Sequence, residues 1–308
     1  MTSISTRYAL DQMPTTDIEK SSRKLKPVHR KLTWARIAGI MTKHAVLIVL
    51  CIIFLMPLFW MATGSFKTIS DIGAFPVNWF PTTITTGNYT YGFSAFPFLR
   101  YFLNTLLICF PCMIGAALSS ALVGYGVSRI HWPWRNGLFG ILIATMMVPF
   151  YVTMVPLFTA YRSIGWTGTY LPLIVPAFFG VPFYIFLMRQ FFIGIPSALT
   201  DAARLDGAGE LRIFFQVILP LCKPALAAVA LFQFLVSWSD LLGPLLYLGN
   251  SDTYTLSLGL TFFQGQEGQT SPGPLMAMST VILIPIIILF FFAQKTFIQG
   301  ITMSGIKD

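Results

Sequence analysis

From Tyr101 to Ser128 the chain has no Asp, Glu, Lys or Arg, and the intervals Arg135–Arg162, Arg162–Arg189 and Glu267–Lys295 are equally free of charge between their ends. A helix needs about 20 apolar residues to cross the hydrocarbon core of a bilayer. Ala45–Ala62 adds a short run dense in Leu, Ile and Phe, and Pro224–Tyr247 another in which Asp240 is the only charged residue. The reading is an all-α membrane protein with six spans, near 44–63, 101–124, 138–160, 170–193, 225–247 and 274–294. The runs are continuous, whereas the strands of a membrane barrel alternate over short segments. A soluble domain has roughly a quarter of its residues charged. Only 10% are charged here, too few to cover a water-facing surface of this size.

Lys and Arg cluster on the side where membrane proteins keep their cytoplasmic segments. Of the 20, all but Lys67, Arg100 and Arg162 fall on one side when the amino terminus is placed inside. Both termini are then expected in the cytoplasm. The net charge of +9 reflects this topology and implies no nucleic-acid partner. Residues 1–43 read as a basic, disordered cytoplasmic tail, 44–294 as the membrane domain and 295–308 as a second cytoplasmic tail. The basic residues before the first span are too spread out for a signal peptide, and no small-residue cleavage site follows the apolar run. Cys109 and Cys112 have C-x-x-C spacing but lie inside a span, with no His nearby to complete a metal site. Cys222 is expected at the cytoplasmic face.

The cytoplasmic segment 194–224 is long for a connection and has helical pattern in it. Ser197 follows Pro196 and reads as an N-cap. Ala198, Ala202 and Leu205 recur at helical spacing, and Asp206-Gly207 breaks the pattern as a turn pair does. A second helix follows, with Leu211, Phe214, Phe215 and Ile218 on its apolar face and Glu210, Arg212 and Gln216 on the polar one. On the residues alone, two readings stay open. The pair lies in the lipid headgroups, or it docks a cytosolic partner.

The segment resembles the permease subunits of binding-protein-dependent ATP-binding-cassette (ABC) importers. These carry a cytoplasmic motif of Glu-Ala-Ala, three residues, Gly, nine residues, then Ile-x-Leu-Pro. Here Asp201-Ala202-Ala203 is followed at that spacing by Gly207 and by Val217-Ile218-Leu219-Pro220, with Asp201 and Val217 the two conservative departures. Gly64-Ser65-Phe66-Lys67, Asn104, Tyr125-Gly126-Val127-Ser128-Arg129, Met147-Val148-Pro149, Trp238-Ser239-Asp240-Leu241 and the Gly-rich ending from Gly300 resemble the carbohydrate-uptake branch, which includes the smaller maltose permease subunit.

The resemblance implies the transmembrane domain of a type I importer, in which a loop helix fits a cleft on a cytosolic ATPase. It implies two ATPase subunits, a second permease sharing the solute path, an external binding protein and a sugar cargo. Asp201, Ala202, Ala203, Arg204, Asp206, Gly207, Arg212, Leu219 and Pro220 are the expected ATPase-coupling residues. Gln233, Trp238 and Asp240 are candidates for the solute path, Trp238 by stacking on a sugar ring. No G-x-x-x-x-G-K-[ST] phosphate loop is present. ATP and Mg are therefore expected on the partner ATPase, and no cofactor or metal on this chain. The rival readings are an ion-coupled secondary carrier, which normally needs deep ionisable groups where Asp240 is the only candidate, and a membrane enzyme, for which His29, His44 and His131 are too scattered.

Overall fold

The computed structural model describes residues 34–267 and 271–304, and nearly all of its regular structure is helical. The first helix, α1 (Trp34–Gly64), starts within the predicted tail and runs through Pro57. The rest of that tail, residues 1–33, lies outside the described residues. By its internal packing the chain divides into two units, 1–57 and 58–308. In the first, the described part is a stretch of α1 whose Val, Leu, Ile and Phe side chains are exposed. A helix apolar all round is what a lipid-facing span requires.

The second unit continues through α2 (Ile69–Ile72), α3 (Gly87–Ala95), the long α4 (Phe98–Ser128), α5 (Arg135–Thr145) and α6 (Phe150–Ser163). Then come α7 (Leu171–Ile174) with a 3-10 turn at Val175–Phe179, α8 (Pro182–Ile193), α9 (Ser197–Leu205) and α10 (Glu210–Leu221). Last are α11 (Lys223–Ser239), α12 (Leu242–Tyr247), α13 (Leu256–Glu267) and α14 (Pro272–Ser304). Among the described residues four helical segments are long and apolar enough to span, namely Ala38–Gly64, Phe98–Ser128, Leu171–Ile193 and Pro272–Gln294. Six result if each of two bent pairs counts as one span.

Two of the six expected spans are thus bent. The third span is broken between α5 and α6, which meet at 96°. Pro149 lies at the break in an extended conformation, and a proline cannot donate the hydrogen bond that would carry the helix across. The fifth begins with a 78° bend between α10 and α11 at Cys222, between Pro220 and Pro224. Its helix ends at Ser239, short of the expected 247, because the chain turns at Asp240 into the separate α12.

Helix α4 is the centre of the unit and packs mainly against α8 and α11. One side contributes Ile108, Cys112, Ala116, Ala121 and Tyr125 to a cluster with Met188, Phe192, Ile213, Phe214, Ile218 and Val229. Another side contributes Tyr101 and Cys109 to a second cluster, with Phe96, Phe234, Trp238, Leu256, Phe263 and Met278. Small residues let the helices approach closely, as they do between membrane helices generally. The Cα of Gly124 faces Met188 and the backbone of α8, and Ser119 donates to the carbonyl of Ala177 at 3.0 Å. Cys222, expected at a water-facing surface, is wholly buried in the first cluster.

The connection 65–97 is built rather than loose. Lys67 is 0% exposed. Its ammonium donates to the Asn78 carbonyl at 2.5 Å and lies 3.9 Å from the Trp60 ring centre. Burial pulls its pKa below the ordinary lysine value, and the Asp71 carboxylate opposes that shift. Asp71 accepts from the Thr82 hydroxyl at 2.7 Å and the Thr82 amide at 3.0 Å, and its carboxyl lies below the usual range, chiefly through the hydroxyl bond. The Asn88 amide donates to the carbonyls of Ser65 (2.9 Å) and Lys67 (2.8 Å). The segment 248–273 is also more than an open loop, since α13 buries Leu256, Leu258 and Phe263.

Candidate functional site: the 194–224 segment

The local sequence explains the shape of this segment. Helix α9 begins at Ser197 itself, with Pro196 in the capping position and no side-chain cap, so the expected Ser197 cap is not formed. At the other end Ala208 N–H donates to Ala203 O and Gly207 N–H to Arg204 O, both at 3.0 Å. These are the two hydrogen bonds of a Schellman C-cap, which places its C′ residue in the left-handed region. Gly207 is that residue, with φ +78°, and a Cβ there would meet no atom within 4 Å. Glycine is therefore required by backbone conformation and not by space. The motif's usual apolar contact falls to Ala203 and Ala208, both half-buried against the first cluster. Thus Ala203, Gly207 and Ala208 form one stop signal.

Helix α10 departs from its predicted face. Residues Ile213–Ile218 form a π-helical stretch, whose wider turn shifts every later side chain relative to α-helical spacing. Ile213, Phe214 and Ile218 are buried, whereas Leu211 is 71% and Phe215 51% exposed. Glu210, on the expected polar face, has a side chain 41% exposed that reaches α4. Its Oε2 accepts from the Tyr125 hydroxyl at 2.8 Å, and its Oε1 accepts from Arg204 Nε at 3.0 Å and Nη2 at 2.8 Å. Glu210 raises the Arg204 pKa further, chiefly by this hydrogen bond. Asp201 makes only a longer contact to Arg204, 3.3 Å. Arg212 donates to Gln216 at 2.9 Å on an exposed surface.

Of the expected coupling residues, Asp201, Ala202, Arg204, Asp206, Gly207, Arg212 and Pro220 are exposed, and Ala203 and Leu219 half-buried. The exposed face also includes Leu205, 90% exposed. Tyr125 and Glu210 complete the arrangement and were absent from the sequence expectation. Tyr125 stood in the quoted pattern Tyr125–Arg129, but its contact with Glu210 spans 85 positions and leaves no local mark.

The expected solute-path residues lie elsewhere. Trp238 is 2% exposed, stacked on Phe234 at 5.1 Å and met edge-on by Phe102 at 5.9 Å, so no ring face is open to a sugar. It is a core side chain. Gln233 is buried and donates to Ser237 Oγ at 2.9 Å. Asp240 is half-buried and accepts the Gly243 amide hydrogen bond at 3.1 Å, fastening the turn into α12. Among the described residues no His, Cys, Asp and Glu groups are placed to hold a metal ion.

Residues 113–303 match the family described as the binding-protein-dependent transport system inner membrane component. The chain belongs to this family. The permease is 35% identical over 258 residues to the arabinooligosaccharides transport system permease protein AraQ of Halalkalibacterium halodurans, covering 83% of this chain and 92% of that one. It is 31% identical to the diacetylchitobiose uptake system permease protein NgcG of Streptomyces coelicolor, covering 85% and 87%. Its fold is similar to a crystal structure of a bacterial ABC transporter involved in import of the acidic polysaccharide alginate, with a TM-score of 0.74, 23% identity and 88% and 99% coverage. The permease is thus a multi-pass membrane subunit of an ABC importer with the type I transmembrane fold, and not an enzyme. Its family works with an ATPase and a binding protein, and the ion-coupled carrier is not favoured.

Proposed function

We propose that this chain forms, with a second permease subunit, the path by which a sugar or sugar derivative enters a bacterial cell across the cytoplasmic membrane. An external binding protein delivers the solute. Two cytosolic ATPase subunits drive the cycle, binding ATP and Mg on their own chains. Both termini lie in the cytoplasm, and the 194–224 segment is where the ATPase docks. The observation that carries this reading is the exposed face of α9 and α10. Ala202, Leu205 and Leu211 face outward between Asp201, Asp206 and Arg212, an apolar surface rimmed by charge of the kind that marks a partner site. The sugar assignment is supported by the relatives named for arabinooligosaccharides and diacetylchitobiose, two different cargoes.

The test is uptake of radiolabelled sugar into vesicles containing the permeases and ATPase, with binding protein supplied. Gly207→Pro cannot adopt a positive φ. The variant is expected to reach the membrane but to lose ATP-dependent uptake and solute-stimulated ATP hydrolysis. Uptake that persists in this variant, or that needs no ATP, refutes the assignment.

A further inference from the structure

The loop is held to α4 at two places. Tyr125 donates to Glu210 at 2.8 Å, and Arg129 donates through Nη2 to the Ile195 carbonyl at 2.7 Å. Residues four apart share one face of a helix. A single face of α4 therefore grips the chain just before α9 and again just after it. Tyr125 is only 4% exposed, with its ring 5.1 Å from Phe214 and 6.0 Å from Phe192.

Arg204 completes the link from within α9. Its guanidinium gives two N–H donors, from Nε and Nη2, to the Glu210 oxygen that Tyr125 does not use, and charge-assisted hydrogen bonds are stronger than neutral ones. The contact of Arg204 with Asp201 is longer, and the Asp201 side chain is 60% exposed against 41% for Glu210. One chain of hydrogen bonds thus joins α9, α10 and α4, and α4 contributes to both hydrophobic clusters.

We infer that Arg204, Glu210 and Tyr125 are positioning residues that make α9 move with α4, so that displacement of the loop by the ATPase reaches the membrane bundle. The inference rests on the docking assignment of the preceding section. Without the clasp, the segment between Gly194 and Gly209 would swivel and absorb the displacement. ATP would then be hydrolysed with less solute moved.

The experiment uses the assembled complex in vesicles and reads sugar carried per ATP hydrolysed, together with the ATPase subunit retained on purification. Tyr125→Phe and Glu210→Gln are expected to lower the ratio several-fold while retaining the ATPase. Arg204→Glu, at an expected coupling position, is expected to lower the ratio as well, and its readout is the ratio alone. Pairing Arg204→Glu with Glu210→Arg restores the ion pair and is expected to recover most of the ratio, which a merely structural loss would not do. A wild-type ratio in the single variants, or a swap with no rescue, overturns the inference. Leu205→Glu, on the exposed face, separates the two levels. Full ATPase retention there overturns the docking assignment and the clasp with it. Loss of ATPase there, with normal coupling in the clasp variants, overturns the clasp alone.

Discussion

Two glycines near the same end of α4 should respond to one substitution with opposite signs. A Cβ on Gly126 would meet nothing within 4 Å, whereas one on Gly124 would sit 3.0 Å from Met188 Cβ and 3.4 Å from both Arg189 N and Ile185 O. In a helix interior, Gly→Ala gains roughly 0.5–1 kcal/mol by restricting the unfolded backbone. Gly126→Ala collects that gain. Gly124→Ala collects it too, but the obstructing atoms are backbone and a Cβ fixed to it, so no rotamer change relieves the contact. Forcing a methyl into a packed core costs about 1–3 kcal/mol. Gly124→Ala should therefore be destabilised by up to about 2 kcal/mol, and the two variants should differ by about 1–3 kcal/mol. Thermal melting of the purified chain in detergent is the assay, and a difference of this size is several degrees. If Gly124→Ala melts at or above Gly126→Ala, the claim that Gly124 sets the spacing of α4 and α8 is wrong.

Three further outcomes are expected. Because the Asp71 carboxyl titrates below its ordinary value in the folded state, its stabilisation is complete above the usual carboxylate pKa of about 3.9 and is lost as pH falls through the folded value. The wild-type melting point should drop as pH falls below about 4, with a shallower drop in Asp71→Asn. Asn104 donates to the carbonyls of Asp252 (2.8 Å) and Tyr254 (3.0 Å), so Asn104→Ala should cost about 1–3 kcal/mol. Arg100→Ala loses only an exposed pair with Asp252 and should cost less than about 1 kcal/mol, a ranking that the same melts decide. Trp238→Ala should destabilise by about 3–5 kcal/mol. Trp238→Phe should keep normal uptake kinetics; a raised KM for sugar there would return the indole to the solute path.

The spans were legible because crossing a bilayer is a demand on composition. Runs such as 101–128 meet it whatever their neighbours are. The break at Pro149 was half legible: the proline is visible in the sequence, but the 96° angle is not. The π-helical stretch was not legible at all. An α-helical period selects Leu211, Phe214, Phe215 and Ile218; Phe214 and Ile218 are buried, but the wider turn hides Ile213 and leaves Leu211 and Phe215 exposed. Gly207 was readable as a turn residue, whereas the contact of Glu210 with Tyr125, 85 positions away, was not. Lys67 and Arg100 had left a clue. Both fell outside the cytoplasmic set of Lys and Arg, and both are held by specific partners, Asn78 and Trp60 for one and Asp252 for the other.

The hydrogen bonds that tie Asn88, Asp71 and Lys67 into the 65–88 segment join residues no more than 23 positions apart. Contacts of such short range close quickly and need no distant part of the chain. This knot can therefore tighten while the ribosome is still making the later spans. Under the proposed topology, with both termini in the cytoplasm, the segment lies across the membrane from them, and a bulky folded knot there would resist sliding back through the translocation pore.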